Sequence, residues 1–333
     1  MMRILTGVAV GLALAVSANA QSVIKIGAPT IRDNNEVWMN TWKAEIEKGS
    51  GGRYRVDTYP ASQLGSMPRA AEGVQLGTIE AYIIIAEFMG GMDKRFGVIS
   101  APGLFDDLMH GFRTYQDPEF KKAYWTLGEA KGVMLIGMYC PADTSYVLRT
   151  PITKGIADLR GKKIRAFPSP IEKETFAVFG ASLAPMDLSE VIPALQAGVI
   201  DGSKSGMVVF APFKYQGAAK NAIRSSETLI CPPIIASKVW FDKLPGDMQK
   251  IVLDASKTAD QKAMEFSIGF NERAYTDWKA GGGELYLLSK AERAEMMKML
   301  EGVGPAALKG DAESLGMYEL IKRVAARTRG KTG

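Results

Sequence analysis

Between Pro245-Gly246 and the triplet Gly281-Gly282-Gly283 lies a tract, residues 247–279, that contains no proline and only one glycine, Gly269. Such a tract predicts one helix, and at 1.5 Å per residue it would reach roughly 45–50 Å. That length exceeds one small domain, so the helix should run across two. No sustained heptad accompanies it, which excludes a coiled coil as the reason for its length.

The amino terminus predicts export. Met1, Met2 and Arg3 precede an apolar stretch from Ile4 to about Val16, and Ser17-Ala18-Asn19-Ala20 ends in an Ala-x-Ala pattern before Gln21. This is the layout of a cleaved secretory signal peptide over residues 1–20, with an apolar part too short to span a bilayer. Elsewhere the strongest apolar run, Ala81 to Ala86, is only strand-sized. About 310 residues then remain, enough for two domains with a core each. The formal charge of +5 falls to about +4 without Arg3, and bases are interspersed with acids, as in Glu45 to Lys48 and Asp242 to Lys250. With no basic stripe carrying interleaved aromatics, nucleic acid is not an expected partner.

Local patterns divide the chain into two similar halves. Val23 to Ala28 predicts a buried strand, then a polar loop from Thr30 to Asn35. Glu36 to Lys48 places Trp38, Trp42 and Ile46 on one helical face. The cluster Gly49-Ser50-Gly51-Gly52 follows a helix instead of a strand, which fits a helix-to-strand turn and not a phosphate cradle. Strands at Tyr54–Tyr59, Glu80–Ala86 and Val133–Tyr139 alternate with helices at 66–75, 108–114 and 118–131. Continuous apolar strands alternating with helices predict α/β layers with mostly parallel sheets. The pattern then restarts: strands at Tyr146–Leu148 and Lys163–Phe167, a helix from Ile171 to Phe179, and a second from about Ser189 to Ala197 with Asp187 as its N-cap. Glu292–Leu300 and Glu313–Arg327 predict C-terminal helices.

The chain is poor in catalytic groups. Its single histidine, His110, stands between Met109 and Gly111 without a cysteine or serine motif nearby. A nucleophile elbow and a zinc ligand set are both missing from the sequence. Acid pairs such as Asp106-Asp107 or Glu172 with Glu174 are neighbours that rarely converge on one substrate. Cys140 and Cys231 belong to no redox or zinc motif; they could form a disulfide in an oxidising compartment or lie buried as small apolar residues. Arg165 has more to offer a ligand. It is bracketed by Ile164, Ala166 and Phe167, so it either faces inward and needs an anion or sits at a strand end beside Lys162 and Lys163. A guanidinium suits bidentate capture of a carboxylate.

The phrases GKKIRAFPSP and VFGASLAPMDLSEVIPALQAGVIDG resemble the substrate-binding subunits of tripartite ATP-independent periplasmic (TRAP) transporters. EKGSGGRYRVDTYPASQLG, VQLGTIEA and KVWFDKLPGDMQK match in order, so the likeness covers essentially the whole chain after residue 20. It implies a periplasmic, two-lobed α/β binding protein with crossing hinge strands and a long helix spanning both lobes. The implied lobes are residues 21–142 with 231–270, and 143–230 with 271–333. It also implies capture of a small carboxylate in the interlobe cleft and delivery to ion-gradient-driven membrane subunits, with no nucleotide needed; a monomer without cofactor, metal site or catalytic role is the expectation for the chain. A binding component of a sensor system and a periplasmic enzyme on the same scaffold are the alternatives.

By the same resemblance Arg165 forms a salt bridge to the ligand carboxylate. Ser205 stands where many members have asparagine, Thr144 replaces an arginine of some members, and Leu188 and Ile192 replace an aromatic residue and a tyrosine. These departures imply a ligand less polar than a sugar acid, or one with a single carboxylate. Phe167, Phe210 and Phe213 are candidate apolar walls, and Glu87 and Trp240 are candidates on the first lobe. Cys140 and Cys231 each map near a crossing strand, where a bridge would restrain the hinge.

Overall fold

In the computed structural model, residues 21–330 are described, so the expected signal peptide lies outside the described residues. The strands are β1 (Ser22–Gly27), β2 (Tyr54–Tyr59), β3 (Ala81–Ile83), β4 (Val133–Met138), β5 (Ala142–Leu148) and β6 (Lys163–Ala166). They continue as β7 (Ser182–Pro185), β8 (Gly202–Gly206), β9 (Asn221–Ile230), β10 (Pro233–Ser237) and β11 (Glu284–Leu287). Among the described residues they build two sheets, one ordered β2-β1-β3-β10-β4 and the other β11-β9-β5-β8-β6-β7. Each sheet is the floor of one lobe.

The expected mostly parallel sheets are mixed: among the described residues five strand pairings are parallel and four antiparallel. β10 runs antiparallel to both β3 and β4, and β5 runs antiparallel to both β8 and β9. The cause is the hinge. β4 leaves the first sheet, turns through Tyr139–Pro141 and enters the second as β5, while β9 makes the return journey through Cys231 and Pro232 to become β10. A strand that crosses and inserts between two others arrives against their direction. Cys140 and Cys231 are joined by a disulfide, with Cα atoms 4.2 Å apart, so the two crossings are tied to each other.

The long helix spans Gly246–Ala280, 35 residues. On its inner face Val252, Ala255, Ala259 and Ala263 are buried at helical spacing, and the small alanines let the helix Asn34–Gly49 approach closely. Trp38 and Trp42 fill that contact, their indole N–H groups donating to Asp260 Oδ1 at 2.7 Å and Ser256 Oγ at 3.0 Å. Burying side chains of this size contributes on the order of 2–3 kcal/mol each. Farther along, Asn271 Nδ2 and Tyr275 OH donate to Asp143 Oδ1 on β5, at 3.0 and 3.1 Å. The helix thus packs on both lobes.

The C-terminal helix Ala312–Thr328 departs from the expected division, which put residues 271–333 together on the second lobe. It packs on the helices Leu108–Gln116 and Pro118–Tyr124 of the first lobe. Arg327 pairs with Asp117 and Glu119 at 2.7 and 2.8 Å, and His110 Nε2 donates to the Ala325 carbonyl at 2.8 Å while its Nδ1 accepts from the Asp106 amide at 3.0 Å. The only histidine is therefore a packing residue between two helices.

Candidate functional site in the interlobe cleft

Parallel strands present their carboxyl ends, and the loops after them, to a shared opening. On the first lobe the segments after β1 and β3 bring Thr30, Asp33, Asn35 and Ile85 to the cleft; on the second, β6, β8 and the helix Leu188–Gln196 bring Arg165, Phe167, Ser205 and Leu188. Together they enclose a cavity of about 40 Å³. The helix Asn34–Gly49 is held in place at this point by Asp33, whose carboxylate accepts from the Asn35 amide at 3.0 Å. Asn35 Nδ2 in turn donates to Thr30 Oγ1 at 2.6 Å. Burial pushes the Asp33 carboxyl up to about 6.

Arg165 is inaccessible to solvent because β6 lies between β7 and β8. Its Nε donates to the Met186 carbonyl at 3.1 Å and its Nη1 to the Lys204 carbonyl at 3.2 Å, which fixes the guanidinium plane. The Phe167 ring packs against it, 5.0 Å from centroid to Cζ. Nη2 is buried and bonded to nothing among the described residues, and no carboxylate among them forms an ion pair with the guanidinium. Burial lowers the affinity of Arg165 for its proton, yet a guanidinium does not deprotonate in a protein. The site therefore holds a pre-oriented cation with an open hydrogen-bond donor.

A second, smaller chamber of about 10 Å³ adjoins the first and shares Ile85, Phe167 and Ile230 with it. Glu87, Ser100, Thr144, Glu172 and Thr228 supply its polar lining. Behind it Lys204 pairs with Glu172 Oε1 at 2.7 Å and Glu227 Oε1 at 3.0 Å, and all three side chains are buried. Burial opposes the charge on Lys204, but the two carboxylates outweigh it and hold the ammonium above its usual range. Glu227 is also buried, yet Lys204 and the hydroxyl of Thr144, which donates to Oε2 at 2.7 Å, keep it below the usual carboxylate range. For Glu172 burial prevails and raises it. Burial and the neighbouring Glu172 push Glu87 up to about 7.

Of the residues singled out from sequence, Arg165, Phe167, Leu188 and Ser205 converge on the larger chamber, while Glu87 and Thr144 face the smaller one. Two are misplaced. Trp240 follows β10 at the end opposite the hinge; Pro232 is at the cleft, and five strand residues put Trp240 roughly 16 Å away. It packs beside Phe241 instead. Phe210 turns into the core against Tyr215, ring centroids 5.0 Å apart, and its helical neighbours Val208 and Val209 line the cavity in its place. Sequence reasoning missed Thr30, Asp33, Glu172 and Thr228. The polar loop directly after a buried first strand was the available signal for Thr30 and Asp33; Glu172 and Thr228 carry none, because only packing brings them together.

The family model for DctP, described as bacterial extracellular solute-binding protein, family 7, matches residues 32–308. The chain belongs to this family. A protein of Verminephrobacter eiseniae described as a solute-binding protein is 28% identical over 247 residues, 72% of each chain. The C4-dicarboxylate-binding periplasmic protein DctP of Rhodobacter capsulatus is 28% identical over 301 residues, 89% of each chain. Among solved structures, the TRAP periplasmic solute-binding protein of Desulfovibrio salexigens with bound orotic acid superposes with a TM-score of 0.86 at 24% identity, covering 92% of this chain and 99% of that one. The sugar acid binding protein DctPAm of Advenella mimigardefordensis in complex with galactonate gives 0.86 at 21% identity, with 92% and 98% covered. At these identities the two structures show a shared fold alone, two α/β lobes in this chain joined by crossing strands. Among the described residues no helix is long and apolar enough to cross a membrane.

Proposed function

We propose that this family 7 protein works in the periplasm, after cleavage of residues 1–20, as a monomer that captures a small organic acid and delivers it to ion-gradient-driven membrane subunits. The reading rests on one observation: Arg165 is buried in the interlobe cavity with two donors satisfied and Nη2 open. A buried cation of this kind is stabilised when an anion reaches it, and a carboxylate matches the fork. Ser205 and the backbone around the cavity would complete the polar contacts, Phe167 and Leu188 the walls. Relatives support the chemistry, since a Shewanella oneidensis protein of this fold is seen with bound succinate and a Polaromonas protein with D-erythronate.

In this reading the first lobe comprises residues 21–142 and 231–270, the second 143–230 and 271–311, with the C-terminal helix Ala312–Thr328 returning to the first. Closure buries the ligand and shifts the population towards the closed form only through contacts made by both lobes. No catalytic role is needed: the buried acids around Lys204 are tied to it and to Thr144.

A thermal-shift screen of the exported protein against mono-, di- and keto-acids, aromatic acids and sugar acids tests the proposal. Ligand at about a hundred times its Kd adds roughly 2.7 kcal/mol, which raises Tm by a few degrees. Hits confined to carboxylates and lost in Arg165→Ala are expected. Unchanged affinity in that variant, or turnover of a hit into product, would overturn it.

A further inference from the structure

Resting on Arg165 as the carboxylate anchor, we infer that the ligand is zwitterionic, its second end a cationic nitrogen held in the small chamber between Glu87 and Glu172. Charge and hydrogen bonding lead to this independently. The two chambers are lined by three acids, Asp33, Glu87 and Glu172, and by one cation, Arg165. Lys204 behind them is already shared between Glu172 and Glu227. The cleft thus carries more carboxyls than cations before any ligand enters. Burial makes Glu87 and Glu172 easily protonated, and a cation beside them would hold them ionised; a dicarboxylate would instead add two more negative charges to a site withdrawn from solvent. A zwitterion adds none, and its two ends meet opposite partners.

The hydrogen-bond inventory agrees. Glu172 is 1% exposed; its Oε1 accepts from Lys204, but its Oε2 is buried with no partner. Thr228 Oγ1, on the same chamber and 6% exposed, is also without a partner. Thr144 has turned its hydroxyl to Glu227. What the chamber offers is therefore mainly acceptors, and its occupant must donate. A volume of about 10 Å³ suits one small polar group. An ammonium supplies three donors and the compensating charge, whereas a hydroxyl supplies one donor and no charge. Ile85, Phe167 and Ile230, shared by the two chambers, form an apolar waist that suits a short hydrocarbon link between the ends.

Calorimetry on ligand-stripped protein would compare ω-amino acids, from glycine to 5-aminopentanoate, with hydroxy acids, unsubstituted acids and dicarboxylates of matching length. At the fitting length the amino acid should bind at least tenfold tighter than its hydroxy and dicarboxylate counterparts. Glu172→Gln should bring that ratio close to one, and Glu87→Gln should do so as well, which covers the case in which loss of the Lys204 partner prevents folding. Arg165→Ala should weaken every member of the series. If carboxylates bind and the amino acids hold no advantage, the cationic end is wrong and the chamber holds water only, while the Arg165 reading stands. If no member binds, both fall.

Discussion

Met67 and Asp187 face each other across the mouth of the cleft, the backbone N–H of Met67 donating to Asp187 Oδ2 at 2.9 Å. Met67 opens a helix of the first lobe, Met67–Leu76; Asp187 caps a helix of the second, Leu188–Gln196. Asp187 Oδ1 accepts from the Ser189 amide at 3.1 Å, and Glu190 reaches back to the Asp187 amide at 3.1 Å. One carboxylate therefore anchors the helix beside Arg165 and holds the lobes together.

Asp187→Ala should lose both tasks. Removing a capping side chain of this type costs about 1 kcal/mol, and loss of the interlobe bond should appear as faster ligand release. Stopped-flow dissociation should rise several-fold with a smaller change in the association rate. An unaltered off-rate would mean that the contact with Met67 does not hold the cleft shut.

Arg165 should tolerate no replacement. Its Nε–H and one N–H of Nη1 are occupied by the Met186 and Lys204 carbonyls, so the second N–H of Nη1 and the two of Nη2, all in one plane, are left to reach a ligand. Arg165→Lys keeps the charge without the fork, and Arg165→Ala removes both. Losses of about 2–5 kcal/mol in binding are expected for alanine, with lysine recovering only part. Full recovery by lysine would show that charge alone suffices.

Stability of the ligand-free protein should fall as pH rises from about 5 to about 8. Burial pushes Asp33 up to about 6 and Glu87 and Asp260 up to about 7. Because each folded value exceeds the unfolded one, the native state binds more protons in this window, and raising pH favours unfolding. A group raised from about 4.5 to about 7 contributes on the order of 3 kcal/mol to the total change, and Glu87→Gln should flatten the dependence. Melting temperatures that rise over the same interval would contradict these assignments.

The Cys140–Cys231 bridge should be complete and stabilising. It closes a loop over a sequence separation of 91, and removing such a constraint costs roughly 2–5 kcal/mol. Denatured, unreduced protein should show no free thiol. The double substitution to alanine should lower the unfolding midpoint and let the hinge open farther in small-angle scattering. Two titratable thiols in the native-source protein would remove the hinge clamp.

The long helix, the strand–helix alternation and the Asp187 cap were all legible in the sequence, because glycine, proline and apolar spacing act over a few residues. The residues predict a helix over 247–279, and the helix observed is Gly246–Ala280. Arg165 was conspicuous as a cation among apolar strand neighbours; its environment was not. Strand direction was illegible, since β10 and β5 run antiparallel only because the chain crosses between lobes. The same crossing carried Trp240 away from the cleft, and side-chain rotation turned Phe210 from the cavity to the core.

By itself, then, the sequence determined which segments become helices and strands and that two α/β units share one long helix, for these follow from local backbone preference and from which side chains must leave water. Tertiary structure decided which polar groups meet. Glu87, Thr144, Glu172, Lys204 and Glu227 come from separate elements, and their charges and open hydrogen bonds acquire chemical meaning only once folding withdraws them together from water.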